Sequence, residues 1–129
     1  MDVISSVAAT TSNDELYPAE NMLDIKEKNF WMTTGIFPQM VILSLKSKTK
    51  VKEVKLVSSG LKSVLLESSP DEKSSKFETA VEMNLPTNDG QIQITKLPLN
   101  GVACHQIKLT ILSGYDHFVA IYKLIIEPI

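Results

Sequence analysis

The chain contains no arginine, one cysteine, and only two histidines, His105 and His117. All 13 of its basic residues are lysines, so it lacks the planar guanidinium forks that grip phosphates and guanines. With a net charge of −2, that argues against nucleic acid as a partner. Cys104 has no second cysteine with which to close an internal disulfide, which points to a reducing compartment. There is no glycine-rich phosphate loop, and no pair of cysteines or histidines has zinc spacing. The first nine residues have neither a basic start nor a long apolar run, so neither a signal peptide nor membrane insertion is expected. A long run of helical period is missing as well.

What remains is a sequence of short alternating runs. Its 129 residues, 43% hydrophobic and 22% charged, predict one folded domain spanning 1–129 with a core large enough to need no staples. Val3 to Ala9 predicts a first strand. Gln39 to Leu45 and Val51 to Val57 predict a strand pair joined by the polar link Lys46 to Lys50, and Leu61 to Glu67 a further strand after Gly60. Ser68 to Lys76 holds no apolar residue and predicts an exposed connection. Phe77, Thr79, Val81, Met83 and Leu85 then alternate with polar or small residues, the clearest half-buried pattern in the chain. Asn88-Asp89-Gly90 and Asn100-Gly101 tolerate positive φ and bracket a strand from Gln91 to Leu97. Ile107 to Ile111 alternates in the same way, and Val119 to Ile126 closes the series. Seven or eight short strands separated by turn signals predict an all-β fold, an antiparallel β-sandwich.

One stretch carries chemistry beyond scaffold. From Pro18 to Gly35, oxygen side chains crowd beside the sole tryptophan. Pro18 can open a single helical turn, Asp24 to Lys26 can leave it as a tight loop, and Phe30-Trp31 can plug that loop into a core. The loop is not an EF-hand, because Lys26 and Lys28 stand where oxygen ligands are required. A hard cation could still be held by Asp24 and Asn29 side chains with the Asn21 and Lys26 carbonyls, given a further oxygen from far along the chain. A metal-free turn is the alternative.

Catalytic sets are sparse. Cys104 with His105, and Asp116 with His117, are the pairs that can be written down. Neighbours on a strand point to opposite faces, so Cys104 and His105 do not meet if that segment is extended. The lysines from Lys46 to Lys55 read as a solvated face. Val119 to Ile126 is apolar on both parities, as is Leu61 to Leu66 in part, which leaves apolar surface for a permanent partner; the candidates are Val64, Leu66, Ile121 and Ile125.

Asn21-Met22-Leu23-Asp24 followed by Phe30-Trp31 resembles the opening of galactose-binding-like, or discoidin-type, jelly rolls. Phe30 to Gln39 (Phe-Trp-Met-Thr-Thr-Gly-Ile-Phe-Pro-Gln) and Ser113 to Phe118 (Ser-Gly-Tyr-Asp-His-Phe) narrow this to a resemblance with the intraflagellar transport protein twenty-five family, also called heat shock protein beta-eleven. The resemblance runs from about Pro18 to Glu127. It implies a non-catalytic jelly roll that carries calcium beside the first loop. It also implies a heterodimer with a Rab-like small GTPase, intraflagellar transport protein twenty-seven, among the other subunits of the intraflagellar transport B complex, in cytoplasm and cilium or flagellum. The family's metal positions fall on Asn21, Asp24, Lys26, Asn29 and Glu127. The chain departs from the family pattern at Ile25, where glycine is usual, and at Asn29, where threonine is usual. A carbohydrate-binding module on the same fold is the alternative from another class.

Overall fold

The computed structural model describes residues 4–10, 31–32, 37–71, 76–86, 92–115 and 119–129. They form seven antiparallel strands: β1 (Ile4–Thr10), β2 (Trp31–Met32), β3 (Gln39–Ser59), β4 (Leu61–Ser69), β5 (Glu78–Asn84), β6 (Gln93–Gly114) and β7 (Ala120–Pro128). The architecture is all-β and antiparallel, as the alternating runs predict.

Two long strands organise it. The first part of β3 pairs with β1 and with the second part of β6, whereas the second part of β3 pairs with β7 and with the first part of β6. Beyond these, β4 lies against the second part of β6, β5 edges β4, and the two-residue β2 edges β7. β3 and β6 therefore run through both layers, and their hydrogen bonding links all seven strands into one continuous sheet.

The layers close on one core. Val41, Leu43, Leu45, Val64, Leu66, Leu109 and Ile111 of the β1–β5 layer join Trp31, Val54, Leu56, Leu97, Leu124 and Ile126 of the other layer in a single buried cluster. Trp31 is fully buried and anchors the two-residue β2, which could not hold itself by two residues of pairing.

Passing between layers requires a bend, and the bends explain where the sequence expectations fail. Lys46 to Lys50 was expected to separate two strands, yet the backbone stays extended through it. Between Ser44 and Thr49, β3 advances five residues while β6 advances two, so the polar link is a bulge inside one strand. Asn100 (φ 53°) and Gly101 (φ 82°) do adopt the predicted left-handed backbone, but they form no turn. They sit inside β6, where four residues of β6 pass two of β3, between Val51 and Glu53. Turn chemistry here kinks a strand from one layer into the other.

Two smaller corrections and one further feature follow. Ser68 and Ser69 are buried members of β4 rather than part of an exposed connection, and Gln106 Nε2 reaches across to donate to the Asp71 carbonyl at 2.9 Å. β5 turns Val81, Met83 and then Leu85 inward as predicted, but Thr79 is exposed because β5 is an edge strand. In the first part of β6 the inward residues are Gln93, Thr95, Leu97 and Leu99, while Ile94, like Ile92 just before the strand, points outward. The helical turn expected after Pro18 and the turn at Asn88-Asp89-Gly90 lie outside the described residues.

Gln93 is the reason for that register. Its amide occupies the corner where β3 turns into β4 at Gly60 (φ 78°). Gln93 Oε1 accepts from the Leu61 N–H at 3.0 Å and from Ser58 Oγ at 3.3 Å, and Nε2 donates to the Leu61 carbonyl at 2.9 Å. A buried corner whose backbone groups have left the strand ladder needs such a partner.

Candidate functional site

Of the five positions expected to hold a cation, Asn21, Asp24, Lys26 and Asn29 lie outside the described residues, and Glu127 is on β7. Glu127 is the direct register partner of Glu53 on β3. Both side chains point away from the core, on the face opposite Val54, Leu124 and Ile126, and both are half-buried. The Oε2 atom of Glu53 is sealed from solvent and has no hydrogen-bond partner. Sequence reasoning missed Glu53 because a glutamate within the lysine-rich Lys46 to Lys55 run reads as one more solvated charge. Its pairing with Glu127 follows a register shift between β3 and β7, from Val51 opposite Pro128 to Glu53 opposite Glu127, which no local pattern reveals. Among the described residues, no three of His, Cys, Asp and Glu converge as a complete metal cluster.

The four partner candidates separate. Val64, Leu66 and Ile121 are fully buried members of the core and not outward-facing, because β4 and β7 turn these parities toward the opposite layer. Ile125 is half-buried on the other face of β7, opposite Lys55. That outer face also carries Val57 and Ile94, paired side by side across β3 and β6, and it is edged by Lys55 and Lys96. Ile94 of β6 is 66% exposed, and Ile92, just before the strand, 56%. Beside them an open groove of about 460 Å³ runs between the end of β5 and the start of β6, lined by Met83, Leu85, Pro86, Ile92, Ile94 and Lys96.

The catalytic pairs gain nothing from the fold. Cys104 is buried on β6 and His105 points to the other face, as the extended backbone requires. Burial pushes the Cys104 thiol up from its ordinary 9.0 to about 11, so at neutral pH it stays a protonated thiol and a poor nucleophile. Asp116 and His117 lie outside the described residues.

Comparison with known proteins meets this geometry from two sides. No protein-family model matches the chain. It is 28% identical over 123 residues to the human intraflagellar transport protein 25 homolog, covering 95% of this chain and 85% of that protein. It is 30% identical over 118 residues to intraflagellar transport protein 25 of Chlamydomonas reinhardtii, covering 92% of this chain and 62% of that one. The chain is similar to intraflagellar transport protein 25 along nearly its whole length. Among solved structures it superposes on a chitosan-binding module from a Paenibacillus chitosanase/glucanase in complex with chitotriose, with a TM-score of 0.80, 16% identity and 98% of both chains covered. That likeness establishes the jelly-roll fold of galactose-binding type. The similarity and the fold together agree with the resemblance read from the sequence.

Proposed function

We propose that this chain is a non-catalytic subunit of the intraflagellar transport B complex that pairs constitutively with a Rab-like small GTPase. It works in the cytoplasm and the cilium or flagellum, and it holds a structural calcium ion beside its first loop. The observation that carries the reading is the match to intraflagellar transport protein 25 along 95% of the chain, signature runs included. A protonated Cys104 and the separation of His105 from it agree with a subunit that binds rather than reacts. The partner's seat is the outer face bearing Ile94, Val57 and Ile125, the apolar surface that the core leaves unused. Calcium is supported by Glu127, which stands beside an orphaned carboxylate oxygen as a cation site would leave it.

The test is purification of the tagged full chain from ciliated cells with its bound proteins identified, repeated with Ile94→Lys. A lysine on that face costs little in water but is expensive when buried unpaired against a partner. The wild type is expected to bring down a small GTPase and the variant to lose it while remaining folded. Sugar binding rests on fold alone; a glycan array with the full chain is expected to stay blank.

A further inference from the structure

Glu53 and Glu127 face one another on adjacent strands with like charge. Directly opposite residues place their Cβ atoms about 4.5–5.5 Å apart, and like charges so placed destabilise a sheet. The other cross-strand neighbour of Glu53 is Pro98, whose ring offers no donor. Lys55 lies two residues along the same face, opposite Ile125 and Lys96, and among the described residues no lysine pairs with Glu53. Added to this repulsion is an independent fact: Oε2 of Glu53 is shut away from water with no hydrogen-bond donor. Folded proteins rarely leave a buried polar atom unsatisfied, and a carboxylate oxygen least of all.

We infer that Glu53 is a cation ligand, and that the strand pair presents two carboxylates, from Glu53 and Glu127, to one divalent ion. The inference rests on the calcium reading above and adds a residue to it. Hard carboxylate oxygens suit calcium or magnesium; calcium tolerates the irregular, high-coordination geometry that side chains from a twisted sheet supply, whereas magnesium demands a near-ideal octahedron. A cation between the two glutamates removes their repulsion and gives Oε2 of Glu53 its missing partner.

The experiment uses the full chain, first stripped of metal by a chelator and then titrated with calcium chloride. Calorimetric titration and thermal unfolding are read for the wild type, Glu53→Gln, Asp24→Asn, and Glu67→Gln as a control far from the pair. Without metal, Glu53→Gln is expected to melt above the wild type, since it removes the repulsion. With saturating calcium the order is expected to invert, with calcium affinity at least tenfold weaker. Glu67→Gln is expected to respond as the wild type does. In the unsubstituted protein, the Glu53 carboxyl carbon is expected to shift in the NMR spectrum on adding calcium, which keeps the test independent of any variant's folding. If Asp24→Asn loses calcium binding while Glu53→Gln binds as the wild type, the calcium reading stands and the role of Glu53 is overturned. If calcium changes neither the melting temperature of the wild type nor its calorimetric heat, both readings fail.

Discussion

Replacing Gln93 with leucine keeps the side chain's bulk and removes its amide. Three partners lose their bond at once: the Leu61 N–H, the Leu61 carbonyl and the Ser58 hydroxyl. Leu61 and Ser58 are fully buried, so water cannot replace the amide without opening the corner. A buried polar group left unsatisfied costs about 1–3 kcal/mol. The added apolar contact of leucine returns part of this, and the net loss should be roughly 3 kcal/mol, a fall in Tm on the order of 10 °C for a domain of this size. Urea unfolding followed by Trp31 fluorescence measures it, with the slope unchanged if only the native state is affected. Ile94→Gln, one residue away on the exposed face, should lie within about 0.5 kcal/mol of the wild type. If Gln93→Leu is as stable as the wild type, the amide is not what holds the β3–β4 corner.

Gly114 should not accept alanine: the new Cβ would stand 2.7 Å from Val119 Cγ2 and 3.0 Å from the Gly60 carbonyl, a cost of about 1–3 kcal/mol readable in the same urea assay. Cys104 should resist thiol reagents in the native protein at pH 8 and react once denaturant unfolds it. Because burial raises its folded pKa to about 11, its contribution to stability is intact below about 9 and lost as pH rises from there toward 11; Cys104→Val should flatten that decline in a pH series of melts. Val64→Lys, Leu66→Lys and Ile121→Lys should each unfold the chain, while Ile125→Lys should leave its circular dichroism unchanged and weaken partner binding.

The fold class was legible because alternation survives in single strands. Val41, Leu43 and Leu45 in β3, and Ile107, Leu109 and Ile111 in β6, are apolar and buried as their parity demands. What local pattern could not reveal was the continuity of β3 and β6 through their bulges. Lys46 to Lys50 and Asn100-Gly101 carry the composition of turns, and only pairing with a distant strand decides that each is a bend within one. Nor does local pattern say which parity of the first part of β6 faces the core, where Gln93 is buried and Ile94 exposed. A polar side chain inside, chosen to satisfy the Leu61 backbone, leaves the isoleucines outside. Strand parity alone did not say which apolar residues face outward: Val64, Leu66 and Ile121 are consumed by the core, and of the four partner candidates only Ile125 stays off it. Of the candidate cation site, Glu127 came from the family resemblance, while Glu53 required the register.

The central claim is that this jelly roll is a permanent companion of a small GTPase. The most direct measurement is affinity purification of the tagged full chain from ciliated cells, with the bound proteins identified and the nucleotide state of any GTPase set by GDP or a non-hydrolysable GTP analogue. A Rab-like GTPase recovered in near-equal amount in both states, together with other intraflagellar transport subunits, is the predicted result. A well-behaved monomer with no GTPase in either state would contradict the account.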